Sequence, residues 1–183
     1  MAADEAPSIA AQQAPQLPNS ALHASALNDP LLEQEWFAAA WSREIEPGKL
    51  LPRRVMATDL VLWRSQEGLH CWRDLCVHRG ARLSLGAIRP AAAAAEMSEA
   101  PRDCLICPYH AWEYAPSGEC VRIPAHPEMT PPARARVQSF QVRERYGVVW
   151  VAFGQTRGTL PEFPLAESAG FRTILAGLTG FMR

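Results

Sequence analysis

No stretch of this sequence approaches the roughly 20 consecutive apolar residues that a membrane-spanning helix requires. The opening residues, MAADEAPSIAAQQAP, have neither a positively charged start with a continuous apolar run nor the arginines of an organellar transit peptide. A bilayer span and a secretory signal are therefore not expected, and the expected location is the cytoplasm. Excess charge is lacking too: 18 basic against 19 acidic residues leave a net charge of −1. Nothing in those totals points to a nucleic-acid or anionic-membrane partner. The five cysteines are an odd number, so in a reducing compartment a disulfide scaffold accounts for them poorly and metal ligation accounts for them better.

The 183 residues suffice for one domain with a real core, or for one domain and the start of another. Residues 1–32 are rich in Ala, Gln, Pro and Ser, and too poor in large apolar side chains to offset ordering entropy, which predicts a disordered leader. Beyond Trp36, Phe37 and Trp41 the texture is β. Leu60-Val61-Leu62-Trp63 and Leu69-His70-Cys71-Trp72 flank a turn at Ser65–Gly68. Val148–Phe153 follows a break at Tyr146-Gly147, and Ser117-Gly118 leads into Cys120–Ile123. Short runs at this spacing predict an all-β fold, a small antiparallel sandwich or barrel. The alanine-rich stretch Pro90–Pro101 is too short for a stable isolated helix and reads as an inserted surface loop.

Two short motifs carry the chemistry. Cys76-x-His78 precedes Arg79-Gly80, and Cys107-x-x-His110 encloses Pro108. Two loops that each give one thiolate and one imidazole can enclose a binuclear centre, both cysteines on one iron and both histidines on the other. Exchanging two thiolates for neutral imidazoles removes negative charge and raises the potential to about −150 to +300 mV, against about −400 mV for all-cysteine plant-type clusters. Taken singly, each residue is equally well a buried thiol or a hydrogen-bonded surface histidine. A second alternative is a zinc-binding interaction module built on Cys71, Cys76, Cys104 and Cys107, whose C-x4-C and C-x2-C spacings approach a zinc ribbon. That account leaves His78 and His110 unexplained. Cys71, Cys104 and Cys120 are otherwise expected as small packed residues, His126 and His23 as solvated, and His70 as facing solvent.

The stretches WFAAAW (Trp36–Trp41), CVHRGARLSLG (Cys76–Gly86), CPYHAWEYAPSGECVRIP (Cys107–Pro124) and ERYGVVWVAFG (Glu144–Gly154) resemble the N-terminal Rieske 2Fe-2S domain of Rieske non-haem iron oxygenases of the phthalate oxygenase and vanillate demethylase type. Val77 stands where that family usually has proline and Ala111 where it usually has glycine. The two motifs also lie farther apart than usual, by the alanine-rich insertion. The resemblance implies a small antiparallel Rieske sandwich with a two-loop cluster-binding subdomain over residues 33–160. It further implies one 2Fe-2S cluster held by Cys76, His78, Cys107 and His110, with Trp112 packed beside it.

The same resemblance implies one-electron transfer as the electron-accepting domain of an oxidoreductase acting on an aromatic substrate. The donor would be a flavin reductase or ferredoxin, and the acceptor a non-haem iron catalytic domain. That domain's Asp-x-x-His-x-x-x-x-His element has no counterpart: the five histidines are His23, His70, His78, His110 and His126. Residues 161–183 are accordingly expected to be a linker and the stub of a missing catalytic domain, with no catalytic residue in this chain. The alternative is a stand-alone Rieske ferredoxin-like carrier. Arg134, Arg136, Arg143 and Arg145 form a basic cluster that either docks an acidic donor or is a solvated strand face.

Overall fold

The computed structural model describes residues 32–89, 103–156 and 158–170. The expected leader up to Leu31, His23, the whole insertion and the end of the expected stub lie outside the described residues. Ten strands are described: β1 (Phe37–Trp41), β2 (Leu50–Val55), β3 (Thr58–Ser65), β4 (Gly68–Arg73), β5 (Ala87–Arg89), β6 (Cys104–Ile106), β7 (Glu113–Tyr114), β8 (Cys120–Arg122), β9 (Ser139–Arg145) and β10 (Val148–Ala152). Six of them form a sheet in the order β1-β10-β9-β4-β3-β2, and four form a second sheet in the order β5-β6-β7-β8. Each pairing between them is antiparallel, as an all-β chain with short connections favours. Among the described residues no helix is long and apolar enough to cross a membrane.

The β3–β4 hairpin is covered on both faces, which explains why Leu60-Val61-Leu62-Trp63 runs apolar without alternation. Val61, Trp63 and Trp72 face a core shared with Leu105, Tyr114 and Cys120 of the smaller sheet. Leu60, Leu62 and Cys71 face a second core with Ala39, Ala40, Val149 and Val151 of β1 and β10. Residues of β1 and β10 belong to the same sheet as β3 yet close on one core with it, so that sheet curls on itself. Full burial of each Leu or Val side chain contributes about 1.5–3 kcal/mol. β2 is an edge strand of this sheet, the one position where Pro52 removes no ladder hydrogen bond the sheet needs.

The turns at Gln66-Glu67 and Tyr146-Gly147 join paired strands where the sequence predicts them. A third hairpin, β2–β3, turns at Met56-Ala57 with φ of 47° and 59°. Positive φ at both central residues is the type I′ geometry, normally built from Asn, Asp or Gly. Neither residue signals a turn, so this hairpin has no signature in the sequence. The segment 158–167 is also tied down: Trp36 Nε1 donates to Gly158 O at 3.3 Å, the Phe163 amide donates to Tyr146 Oη at 3.1 Å, and Arg145 Nε meets Glu167 Oε1 at 3.3 Å.

The segment 90–102 joins β5 to β6 at the end where Arg89 pairs with Cys104. Cys107 follows the opposite end of β6, so the two ends that this connection joins, Arg89 and Cys104, lie at the end of the β5–β6 pair away from Cys107. A left-handed backbone costs a residue with a Cβ roughly 1–2 kcal/mol, partly offset by the smaller chain entropy it loses on folding. Replacing Met56→Asn together with Ala57→Gly should therefore stabilise the chain by about 1 kcal/mol, read as a higher urea midpoint with an unchanged slope.

Candidate metal centre

Both motifs lie on loops at one end of the smaller sheet, the first between β4 and β5 and the second between β6 and β7. The two loops close by the same scheme. Cys76 N–H donates to Ala81 O at 2.8 Å, and Gly80 N–H returns to Cys76 O at 2.9 Å. Cys107 N–H donates to Trp112 O at 2.9 Å, and Ala111 N–H returns to Cys107 O at 3.1 Å. The residue four after each cysteine takes positive φ, 70° at Gly80 and 54° at Ala111. Each loop thus doubles back within six residues, sinking the cysteine that opens it and lifting the histidine near its crest.

That shape separates the donors by burial. Cys76 and Cys107 are each 3% exposed, in the core with Tyr114, Leu83 and Leu105, whereas His78 and His110 are exposed. The two thiols lie in one buried cluster and interact with each other, and the backbone N–H groups of Tyr109 and His110 interact with the Cys107 sulfur. Burial pushes the Cys107 thiol above its ordinary value, and those two amides pull it back. The phenol of Tyr114 lies 3.1 Å from Cys76 Sγ. Burial pushes its own proton affinity far up, so the phenol keeps its proton and is the donor once Cys76 is a thiolate.

The imidazoles are neighbours as well, with ring centroids 4.7 Å apart. Trp112 stacks on His78 at 4.5 Å with an interplanar angle of 5°, which fixes the ring's plane. The Tyr109 ring lies 3.8 Å from that of His110. Desolvation, then His110, then the Arg79 cation hold the pKa of His78 down, favouring the neutral imidazole that a metal ligand must be. Two adjacent buried sulfurs and two adjacent exposed nitrogens form a donor set that fits a binuclear iron–sulfur core divided sulfur inside, nitrogen outside.

The zinc alternative does not assemble. Cys71 belongs to the core on the opposite face of β4 from the one that holds Cys76 and Cys107. Among the described residues no three His, Cys, Asp or Glu side chains converge as a single ion requires. Burial pushes the thiols of Cys71 and Cys104 up to about 12 and that of Cys120 to about 11, as packed neutral residues. His70 differs from expectation. It is half-buried, 2.7 Å from Ser65 Oγ through Nε2 and 4.6 Å from the Trp63 ring, and burial lowers its pKa. His126 is exposed, as expected.

The basic cluster is largely committed within the chain. Arg136 pairs with Glu119, Arg145 with Glu167, and Arg143 lies 5.1 Å over the Trp36 ring. Sequence reasoning missed Tyr114, whose contact with Cys76 spans 38 positions and leaves no local pattern. The left-handed Ala111 carries a prediction. A Cβ on Gly80 would meet only Leu75 Cδ1 at 3.7 Å, so backbone conformation alone sets the preference at the two equivalent positions. Ala111→Gly should stabilise the chain by about 0.5–1 kcal/mol and Gly80→Ala destabilise it by a similar amount, read by chemical denaturation.

Comparison with known proteins gives this geometry its family. The profile of the Rieske [2Fe-2S] domain matches residues 35–141. The oxidoreductase NdmD of Pseudomonas putida is 32% identical over 126 residues, 68% of this chain and 19% of that protein. Methylxanthine N1-demethylase NdmA of the same organism is 30% identical over 151 residues, 79% of this chain and 40% of that one. The crystal structure of dicamba monooxygenase bound to dicamba superposes with a TM-score of 0.64 at 31% identity, covering 78% of this chain and 40% of that one. The chain thus spans well under half the length of these relatives. It belongs to the Rieske [2Fe-2S] domain family, whose cofactor is a 2Fe-2S cluster and whose work is electron transfer.

Proposed function

We propose that Cys76 and Cys107 hold one iron of the 2Fe-2S cluster and His78 and His110 the other, and that the chain is the electron-accepting domain of a Rieske non-haem iron oxygenase acting on an aromatic substrate. The observation that carries the assignment is the pairing of two buried thiols in one cluster with two adjacent exposed imidazoles. When bound, the cluster supplies a site that takes and releases one electron at a potential set by its ligands and by hydrogen bonds to its sulfurs.

The chain's own residues do the rest. The amides of Tyr109 and His110 and the phenol of Tyr114 offset the charge of the buried sulfurs. Trp112 orients His78. The exposed imidazoles mark the side facing the partner, since each has a second nitrogen to offer to it. A flavin reductase or ferredoxin in the cytoplasm is the donor, and a mononuclear non-haem iron domain the acceptor. Relatives that are demethylases and monooxygenases support this reading, as does the anchoring of residues 158–167 by Trp36, Arg145 and Tyr146, which would give a following domain a defined starting point.

Cys107→Ser should abolish or severely weaken cluster assembly, seen as loss of visible absorption and of the EPR signal after dithionite, because a hydroxyl is a poor iron ligand at neutral pH. His110→Cys, where a cluster still forms, should lower the potential by adding negative charge. A higher potential would overturn the division of ligands between the irons. Tyr114→Phe removes a donor that favours the more negative, reduced state. Its potential should fall by roughly 40 mV for each kcal/mol the hydrogen bond gains on reduction, measured by redox titration.

A further inference from the structure

Among the described residues two charged side chains are buried, Asp74 and Glu113, each 3% exposed. Their settings differ. Glu113 faces its cross-strand partner Arg122, with Arg122 Nη1 donating to Glu113 Oε1 at 2.7 Å, so this pair ties β7 to β8. Asp74 ties no strands together. It follows the end of β4, two residues before Cys76, and its side chain is wholly enclosed. The carboxylate accepts from Arg82 Nε at 2.9 Å, from the Ser84 backbone N–H at 2.7 Å and from Ser84 Oγ at 2.7 Å.

Those three donors lie at the far end of the loop that lifts Cys76 and His78. Asp74 is itself rooted in the large sheet, where its backbone N–H donates to Asp59 O at 2.9 Å. The carboxylate therefore joins the two ends of the first ligand loop and ties both to β3. Its enclosure and its three donors also remove it from any role as a metal ligand. Without it, the loop would be held by the two backbone bonds between Cys76 and Ala81 and between Gly80 and Cys76 and by the packing of Leu83, and bonds beside an exposed crest open more readily than those within a sheet.

We propose that Asp74 is a positioning residue. It latches the loop in the shape that presents Cys76 and His78 before any cluster is present, and it keeps the loop closed afterwards. The inference rests on the ligand assignment above, but its main observable does not. Charge-assisted hydrogen bonds of this kind are about twice as strong as neutral ones, so losing one of three should open the loop locally while the sheets remain intact.

Native-state hydrogen exchange on the full chain, cluster-free and loaded, tests the latch with Ser84→Ala, which removes a single donor and keeps Asp74. The Cys76 and Gly80 amides should exchange about tenfold faster while those of β3 and β4 are unchanged. Loss of visible absorption to an iron chelator should quicken by a similar factor, and Ser84→Thr, which restores the hydroxyl, should reverse both effects. Asp74→Asn should exceed Ser84→Ala in the same direction. Exchange unchanged at Cys76 and Gly80, or raised uniformly through both sheets, would overturn the latch. If the unaltered chain takes up no cluster the ligand assignment falls, whereas the exchange measurements on the cluster-free chain still decide the role of Asp74.

Discussion

The structure depends on one constraint: two short loops must bring their donors together while each satisfies its own backbone. Both solve it in the same way, by a pair of hydrogen bonds across six residues with a left-handed residue in fifth place. A backbone amide buried without a partner costs about as much as a lost hydrogen bond, so a loop that closes on itself is free to carry its cysteine inward. The sharp reversal of the chain that follows puts the histidine on the outside. The division between buried sulfur and exposed nitrogen is thus a property of the loop fold.

Desolvation alone would favour the opposite arrangement. As ligands the cysteines would be anions and the histidines neutral, and anions are the costlier groups to remove from water. The chain compensates locally, with two loop amides at Cys107 and the Tyr114 phenol at Cys76. These donors do more than permit burial: each favours negative charge on the sulfur it touches, and so favours electron uptake. The hydrophobic packing of Leu83, Leu105 and Tyr114 around the thiols holds that balance in a dry environment, where a hydrogen bond is worth more than it is in water.

How much of this was legible in the sequence varied with the range of the interaction involved. The Cys/His pairs and their turn residues are local, and they stood out. The strands at Leu60–Trp63 and Val148–Ala152 also declared themselves, through apolar runs bounded by turn residues. The β2–β3 hairpin did not, because Met56 and Ala57 hold a turn geometry against their own preference and Pro52 argues against a strand unless the strand lies at an edge. Alternation alone predicts a solvent-facing His70; a neighbouring strand supplies the Trp63 ring that covers it. The ion pairs within the basic cluster carry no sequence signal for the same reason, since the carboxylate partners Glu119 and Glu167 are remote in sequence. Tyr114 and Asp74 act across the fold as well, and no spacing rule could have found either.

The two left-handed alanines, Ala57 and Ala111, invite one interpretation but have separate causes. At Ala57 the strain is imposed by strand register: Val55 pairs with Thr58, and a two-residue link between twisted antiparallel strands demands positive φ whatever residue stands there. At Ala111 the strain is imposed by loop closure, because a relaxed backbone would break the hydrogen bond from Ala111 N–H to Cys107 O that closes the loop. The first cost is met by the two cores flanking β3. The second is met only by the loop's own bonds and by Trp112, which contributes the other half of the closure through its carbonyl and stacks on His78 through its ring. Trp112 therefore couples the backbone of one ligand loop to the side chain of the other, and the two loops are held as a single unit.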